Sequence, residues 1–274
     1  MKISVFGLGI IGSVWAGNLQ RDGDTVFGWN RTPKPALPFF TPEARAAATK
    51  SELLIIIVAD PPAVQAVLDL IKPALRPGQI VVQSSTISPT APRQFAAQVQ
   101  ATGAAFLEAP FTGSRPAAEQ RQTVFYVGGD LAELERARPV LARLSRAIEH
   151  IGPIGSASAL KLAMNINIAM IAEALCESLT YARAAGIADE RYFSALKLNV
   201  AQSGLAALKE PKLRSGNFAP QFSLKHMAKD IRLTLESAGD LALPQTRAVM
   251  QLYEAGLARG WGDDDFIGLS RLLQ

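Results

Sequence analysis

Two groups of residues in this 274-residue chain have types and spacings that could do chemistry. The first is Gly7-Leu8-Gly9-Ile10-Ile11-Gly12, a Gly-x-Gly-x-x-Gly pattern. Glycines at these spacings allow a tight turn, the close approach of the backbone to a pyrophosphate, and close packing of a helix on a strand. The second group is Lys161 with Asn165, four residues apart in an apolar segment. An amine on a rigid helix can donate a proton to a carbonyl oxygen and stabilise the negative charge developing there.

The glycine pattern stands in the context that a dinucleotide site requires. Lys2 to Phe6 is a short apolar run rich in β-branched residues and predicts a strand, and Thr25 to Trp29 predicts another. The apolar spacing after Gly12, ending at Gly23, predicts a helix of about three turns between them. The free N–H groups and positive dipole end of such a helix bind phosphate. The alternative, a turn that binds nothing, is the weaker interpretation of this order.

The second predicted strand ends in Asn30-Arg31-Thr32, 18 residues beyond Gly12. An NAD enzyme usually has an Asp or Glu here, whose carboxylate binds the ribose 2′-hydroxyl. Asn30 carries no charge, whereas Arg31 can form charge-assisted bonds to a 2′-phosphate and the Thr32 hydroxyl can add another. The alternative is an exposed arginine at a strand end. The segment therefore predicts NADP as the cofactor, with NADPH preferred over NADH.

The alternation of strands and helices continues to about residue 144. Further strands are predicted at 53–58, 79–84, 104–108 and 124–127, and further helices at 63–71, 89–101 and 131–144. This order predicts a parallel sheet with helices on both faces, in which ligands bind at the carboxyl ends of the strands. Of the loops that follow those ends, we expect Ala59 and Asp60 to contact the cofactor and Ser85 to contact the substrate.

From Gly155 the pattern becomes helical. Residues 158–185 contain neither Pro nor Gly and predict a helix about 42 Å long, apolar on most sides and buried between two domains or two subunits. Lys161 in its first turns would carry a desolvation cost, unless its ammonium group snorkels to solvent. Four more helices are predicted at 191–201, 205–213, 225–238 and 244–258. The expected organisation is a Rossmann-type α/β domain at residues 1–152 and an all-helical domain at 153–274.

Composition excludes several classes of protein. Charged residues are only 19% of the chain and hydrophobic residues 49%, with a net charge of +4, which excludes a disordered chain. One cysteine excludes a disulfide scaffold, and Cys176 with His150 and His226 is too sparse a set for a zinc site. The acidic run Asp263-Asp264-Asp265 is more simply a helix cap than a metal site, so we predict no metal.

No membrane or nucleic-acid partner is expected from the sequence. The longest uninterrupted apolar run, residues 53–59, has 7 residues against the roughly 20 that span a bilayer. No signal peptide precedes the first predicted strand, and the basic residues form no nucleic-acid-binding tract. These features predict a cytoplasmic protein.

In their order, these motifs resemble those of the β-hydroxyacid dehydrogenase family, which includes 3-hydroxyisobutyrate dehydrogenase, and most of all its glyoxylate/succinic semialdehyde reductase branch. The resemblance covers essentially the whole chain. It is carried by the glycine pattern, Asn30-Arg31-Thr32, Ser85-Thr86-Ile87-Ser88-Pro89, Glu108-Ala109-Pro110-Phe111-Thr112-Gly113-Ser114, Gly155 through Lys161 to Asn165, Phe222-Ser223-Leu224-Lys225-His226, and Lys229-Asp230.

The resemblance implies a reductase that uses a nicotinamide cofactor on a small aldehyde or keto acid. Lys161 aligns with the family's catalytic lysine, which gives a proton to the carbonyl oxygen as hydride arrives at carbon, and Asn165 would orient it. The remaining implied contacts are Thr86 and Lys229 with the cofactor near the nicotinamide, and Thr112, Gly113, Phe222 and Asp230 with the substrate.

The chain departs from the family pattern in three places. Residues 32–53 are shorter than the usual insertion and are broken by three prolines, which predicts that a strand–helix unit there is reduced to a loop. Thr112 stands where the family usually has Ser, and Arg121 where it usually has Gly. We expect both to bear on the shape of the substrate pocket.

Four functions compete at this point. The first is NADPH-dependent reduction of glyoxylate or succinic semialdehyde, and the second is NAD-dependent oxidation of 3-hydroxyisobutyrate or a related 3-hydroxy acid. Imine reductases share the architecture but commonly place another residue where Lys161 stands. A non-catalytic NADP-binding module would not need Lys161, Asn165 and Asp230. A homodimer or homotetramer is expected, since the long apolar helix and a small helical domain need cover.

Overall fold

The computed structural model describes residues 1–273. The chain divides into two compact units, Met1–Lys161 and a second that begins at Leu162. Strands and helices alternate in the first unit, and a long helix leads into an entirely helical second one. The predicted fold class is therefore confirmed. The units divide within the long helix, whereas the prediction placed the domain boundary after residue 152.

An eight-stranded sheet forms the centre of the first unit. Its strands are β1 (Lys2–Phe6), β2 (Thr25–Trp29), β3 (Leu53–Ile56), β4 (Ile80–Gln83), β5 (Ala105–Glu108), β6 (Phe111–Thr112), β7 (Thr123–Gly128) and β8 (Ser145–Gly152). Their order is β2-β1-β3-β4-β5-β7-β6, with β8 paired to β7. β1 to β5 are parallel neighbours, as predicted.

Beyond β5 the sheet departs from the predicted parallel arrangement. β7 runs antiparallel to both β5 and β6 and parallel to β8. The chain returns from β5 to β7 through the two-residue strand β6 and the five-residue helix at Arg115–Glu119, without the longer crossover connection that a parallel pair needs. The sequence did not predict β6, which is too short to show periodicity, or β8, whose residues are mostly half-buried or exposed.

Helices cover both faces of the sheet. They are α1 (Ile10–Arg21), α2 (Ala44–Lys50), α3 (Pro61–Ile71), α4 (Ala91–Gln100), α5 (Arg115–Glu119) and α6 (Leu131–Leu141). Successive residues of a strand point to opposite faces, so Leu53 and Ile55 join one apolar cluster and Leu54 and Ile56 the other. This two-sided burial explains why β3 has an uninterrupted apolar sequence.

The shortened segment after β2 keeps a helix but loses a strand. α2 is present, whereas the strand is reduced to one bridge between Gly28 and Phe40. The Gly28 N–H donates to the Phe39 carbonyl at 2.7 Å, and the Thr41 N–H donates to the Gly28 carbonyl at 2.7 Å. The expected reduction to a loop is thus right for the strand and wrong for the helix.

The helical part begins with the 29-residue α7 (Ser156–Ala184). It is followed by α8 (Asp189–Lys197), α9 (Gly204–Ser215), α10 (Leu224–Ala238), α11 (Pro244–Ala258) and a 3-10 helix (Phe266–Leu272). α8 ends earlier than predicted because Leu198 and Val200 face outward, at 90% and 102% exposure, instead of extending its apolar stripe. Cys176 is buried within α7.

Within residues 1–273, α7 is the one helix long and apolar enough to cross a membrane by length and composition. In its most apolar 18-residue stretch, 44% of the residues are buried inside the structure. The core helix of a soluble protein passes the same test, so this is weak evidence for a membrane span. The prediction of no membrane partner stays a prediction.

A buried ion pair lies in the helical unit. Lys209 of α9 and Asp265 are 1% and 0% exposed, and Nζ lies 2.8 and 2.9 Å from the two carboxylate oxygens. The same carboxylate accepts hydrogen bonds from the backbone N–H groups of Gln221 and Ile267. Nζ also lies 4.5 Å from the centre of the Phe266 ring. Burial lowers the pKa of Lys209, and Asp265 opposes that shift.

The predicted capping role of the acidic run is confirmed for Asp265, which caps the 3-10 helix. The other two carboxylates form ion pairs, Asp263 with Lys225 at 2.5 Å and Asp264 with Arg271 at 2.6 Å. Within the described part of the chain, no group of three or more His, Cys, Asp or Glu side chains could hold a metal ion.

Candidate active site

The glycine loop joins β1 to α1 and is shaped by two different requirements. Gly7 has φ +106°, and a Cβ there would stand 2.0 Å from the Ile57 carbonyl oxygen. A Cβ at Gly12 would stand 1.9 Å from the Gly7 oxygen. A Cβ at Gly9, in contrast, would meet no atom of the described chain within 4 Å. Packing therefore requires Gly7 and Gly12, while the open space beside Gly9 is available to a ligand.

The amino terminus of α1 is open to an anion. Gly9 is the cap residue, and among residues 1–273 no side chain caps the first turn. Ile10 is 55% exposed, so the first turn faces solvent. The N–H groups at this end and the helix dipole together attract phosphate.

Asn30 is placed at the glycine loop, where it has a structural role. Its Oδ1 accepts from the Leu8 N–H at 2.9 Å, and its Nδ2 donates to the Thr32 carbonyl at 2.8 Å. An asparagine supplies both a donor and an acceptor without a charge. Asn30 therefore connects the end of β2 to the glycine loop.

Two cationic side chains lie at the same place. Arg31 is exposed directly after Asn30, and Thr32 is exposed beside it. Lys34, which sequence reasoning missed, donates from Nζ to the Leu8 carbonyl at 2.6 Å. The flanking prolines at 33 and 35, which restrict the backbone, were the signal available for it. The positive charges of Arg31 and Lys34, near a helix end that attracts anions, can bind a second phosphate group.

The loops after β3 and β4 lie at the carboxyl ends of parallel strands, as the glycine loop does. A hydrogen bond joins these two loops to each other. The Ser85 hydroxyl accepts from the Val58 N–H at 2.8 Å and is buried. Asp60 caps α3 by accepting from the Ala63 N–H at 2.9 Å. Ala59 is exposed and Thr86 half-buried. Ser85 and Asp60 thus hold their loops, and their predicted ligand contacts stay predictions.

Thr112 and Gly113 stand at the end of β6, and Arg121 lies elsewhere. Gly113 is exposed with φ +122°, and Thr112 is half-buried in β6. Arg121 has φ +61°, a conformation that favours glycine, and forms a bidentate ion pair with Asp22 at 2.7 Å, at the far end of α1 from the glycine loop. The expectation that Arg121 bears on the substrate pocket is therefore wrong, because the family's glycine there meets a backbone requirement.

Lys161 lies on α7, one turn after Ser158, whose hydroxyl donates to the buried carboxylate of Glu108. It is 7% exposed, which argues against an ammonium group that snorkels to solvent. Glu108, at the end of β5, accepts from the Gly155 and Ala157 N–H groups at 2.6 and 2.9 Å and from the Ser158 hydroxyl at 2.6 Å. Burial raises the pKa of Glu108, and these hydrogen bonds oppose the rise. Glu108 belongs to one of the motifs that carry the family resemblance, but nothing in its local sequence indicates this contact.

In the helical unit, Asp230 connects two of the predicted residues. Asn165 donates from Nδ2 to Asp230 Oδ2 at 2.5 Å, and Lys229 Nζ lies 2.9 Å from Asp230 Oδ1. Asn165 and Asp230 are 3% and 1% exposed. Asn165 shares a face of α7 with Lys161, four residues earlier. A buried carboxylate thus fixes the amide that follows Lys161 on its helix.

Phe222 lies beside His226, to which the sequence assigns no role. Its ring stacks on His226 with centroids 6.1 Å apart, and His226 Nδ1 lies 2.6 Å from the Ser223 hydroxyl. Burial lowers the pKa of His226, and the charge of Lys229 lowers it further. The lowered pKa favours the neutral form of the imidazole that stacks on Phe222.

Comparison with known proteins gives two family matches that together cover nearly the whole chain. Residues 2–152 match the NAD binding domain of 6-phosphogluconate dehydrogenase. Residues 155–273 match the family described as NAD-binding of NADP-dependent 3-hydroxyisobutyrate dehydrogenase. The two matches meet close to the start of α7.

Individual relatives cover the chain from end to end. An uncharacterized oxidoreductase of Synechocystis sp. is 33% identical over 92% of this chain and 91% of its own. The 2-hydroxy-3-oxopropionate reductase of Escherichia coli is 32% identical over 100% of this chain and 97% of its own. The solved structure of Mycobacterium tuberculosis 3-hydroxyisobutyrate dehydrogenase with L-serine has a TM-score of 0.89 and 26% identity, covering 99% of this chain and 98% of that one.

Proposed function

The chain belongs to the β-hydroxyacid dehydrogenase family, which includes 3-hydroxyisobutyrate dehydrogenase, and we propose that it reduces small aldehyde and keto acids to hydroxy acids. It is an NAD(P)-dependent oxidoreductase that acts on CH–OH groups. Glyoxylate and succinic semialdehyde are the proposed substrates and NADPH the proposed reductant. The observation that carries the proposal is a buried lysine, Lys161, held on a long helix one turn before Asn165.

The residues of the glycine loop fit a dinucleotide. The space beside Gly9, which no atom of the described chain approaches within 4 Å, accommodates a pyrophosphate, and the first turn of α1 offers it N–H groups. Arg31 and Lys34 supply positive charge at the end of β2, which supports NADPH over NADH. Thr86 and Lys229 are the proposed contacts near the nicotinamide.

Lys161 is the proposed proton donor. The bound nicotinamide supplies hydride to the carbonyl carbon. The ammonium group of Lys161 donates a proton to the carbonyl oxygen, and its charge stabilises the oxyanion as it forms. Burial strengthens this interaction because the local dielectric is low. Asn165, held by Asp230, orients the lysine.

The proposed substrate contacts surround a small carboxylate. The hydroxyl of the half-buried Thr112 and the exposed Gly113 backbone, at the end of β6, bind the carboxylate group together with Ser85. In the helical unit, Phe222 and Asp230 are the proposed substrate contacts. A homodimer or homotetramer is proposed as well, supported by the apolar faces of α7. The cellular compartment stays a prediction.

Turnover of a substrate panel tests the function. Glyoxylate, succinic semialdehyde, methylmalonate semialdehyde and tartronate semialdehyde are each assayed with NADH and NADPH by the loss of nicotinamide absorbance. We expect the highest kcat/KM for one of the first two with NADPH. The highest value for methylmalonate semialdehyde would favour a 3-hydroxyisobutyrate-type dehydrogenase instead. If none of the four is reduced with either cofactor, the proposed reaction is wrong.

Arg31→Asp tests the cofactor preference. We expect KM for NADPH to rise about 10- to 100-fold, the range of one lost hydrogen bond to a charged group, because the new carboxylate repels the 2′-phosphate. KM for NADH should change less than threefold. Arg76→Asp makes the same charge change at an exposed site before β4, at the amino ends of the strands. It should change neither KM for NADPH nor KM for NADH. Equal losses for the two cofactors in the Arg31 variant would contradict the assignment.

A further inference from the structure

The first turn of α7 is held by a carboxylate from a strand far away in the sequence. Glu108 is fully buried at the end of β5. Its two oxygens accept three hydrogen bonds, from Gly155 N–H at 2.6 Å, Ala157 N–H at 2.9 Å and the Ser158 hydroxyl at 2.6 Å. The donors stand 47 to 50 residues after Glu108 in the chain.

This arrangement differs from the other carboxylate caps in the same unit. Asp60 caps α3 and Asp130 caps α6 from the residue directly before each helix. Such local caps satisfy N–H groups from within the same segment and do not join the helix to another element. A cap that comes from β5 fixes the start of α7 relative to the sheet. The negative charge also interacts favourably with the positive end of the helix dipole.

The surrounding backbone leaves room for this contact and little else. A Cβ at Gly128 would stand 2.3 Å from Glu108 Oε1, so only glycine there allows the carboxylate its place. Gly155 has φ +103°, and a Cβ there would stand 2.8 Å from the Pro89 carbonyl oxygen. Arg93 of α4 donates from Nε to the Ile154 carbonyl at 3.2 Å. Hydrogen bonds from Arg93 and to Glu108, and the close approach of Pro89, thus restrict the start of α7.

We propose that Glu108 is a positioning residue for Lys161, because it sets the rotation and axial position of the helix turn from which that lysine projects. The proposal rests on the proposed function, in which Lys161 donates the proton. Lys161 follows Ser158 by three residues and so lies on the same helix face one turn later. A displacement of about 1 Å at a reacting group costs on the order of 10²-fold in rate. β5 also leads into the loop of Thr112 and Gly113, so one carboxylate connects the proton donor with the proposed substrate loop.

Glu108→Ala is the first test. We expect kcat for the best panel substrate to fall 10- to 100-fold while KM for NADPH stays within twofold, since the glycine loop is untouched. Glu108→Gln keeps an amide oxygen that accepts from both backbone N–H groups, and should retain kcat within about threefold. If the alanine variant fails to fold, Ser158→Ala removes one of the three hydrogen bonds and should lower kcat by a smaller factor.

Gln79→Ala is the matched control. Gln79 is also a fully buried polar side chain with three hydrogen bonds, to Ala48 O, Ser51 O and Arg76 N–H, and it lies at the amino end of β4. The Gln79→Ala variant should lose stability as Glu108→Ala does, and should keep the kcat of the wild type. Loss of kcat in both variants to the same extent would assign the effect to general destabilisation and overturn the proposal.

Amide hydrogen exchange of the 152–161 segment gives a readout that needs no substrate. Faster exchange of this segment in Glu108→Ala, and not in Gln79→Ala, supports the proposal that Glu108 holds the start of α7. Unchanged exchange overturns it, as does faster exchange with kcat within twofold of the wild type. Absence of any turnover by the wild type would remove the proposed function, and with it the positioning role, even where exchange shows that Glu108 holds the helix.

Discussion

Replacement of Lys161 by alanine is expected to lower kcat about 10²- to 10⁴-fold, the range of a positioned general acid. The substrate oxygen would lose both its proton source and the positive charge that stabilises it. The Kd of NADPH should change less than threefold, because the glycine loop, Arg31 and Lys34 are intact. Single-turnover reduction at saturating cofactor measures the first quantity, and fluorescence titration of NADPH measures the second.

Two further variants complete this test. Lys161→Arg keeps the charge but not the length or acidity of the amine, and is expected to remain at least tenfold below the wild type. Lys197→Ala, at an exposed lysine of α8, is the control and should retain full activity. A kcat of Lys161→Ala within twofold of the wild type would show that another group donates the proton.

The largest expected effect on stability follows from the buried ion pair of the helical unit. Lys209→Ala should lower the free energy of unfolding by about 3–5 kcal/mol, because it leaves the fully buried Asp265 carboxylate without its counter-ion. Denaturant unfolding of the whole chain, followed by circular dichroism, measures this loss. Lys212→Ala, one turn further along α9 and half-exposed, is the matched control and should cost less than 1 kcal/mol.

A second substitution separates the buried charge from lost packing. In Lys209→Met with Asp265→Asn, no charge remains buried. The two carboxylate oxygens of Asp265 accept separately from the Gln221 and Ile267 N–H groups, and the amide oxygen of asparagine can still accept from one of them. We expect this double variant to recover more than half of the loss. A double variant as unstable as Lys209→Ala would assign the loss to packing around the lysine chain.

Much of the first unit could be predicted because its elements follow simple periodicities. β1 and β2 occur at the predicted residues, and β3 begins where its apolar run begins. The return from β5 to β7 could not be predicted, because β6 has two residues and shows no period. The end of α8 was missed for a different reason. Apolar residues at 198 and 200 continue the helical pattern while facing outward.

The candidate site could be predicted in part. The glycines at 7 and 12 were recognised from spacing, and the structure shows which backbone atoms require them. Glu108 and Lys34 received no role, because each acts through a hydrogen bond to a backbone group far away in sequence. No local pattern encodes such a partner. Asn30 and Ser85 were singled out as ligand contacts, and in the structure each holds a neighbouring loop in place.

The segment after β2 has a consequence for association between chains. β2 lies at the end of the sheet order, and a strand in this position exposes unpaired N–H and C=O groups that can nucleate aggregation. Residues 39–41 pair with Gly28 and occupy the middle of that edge. Pro33, Pro35 and Pro38 lack N–H groups, so the covering segment cannot itself continue the sheet. A connection that has lost its strand thus still covers part of the exposed edge of β2.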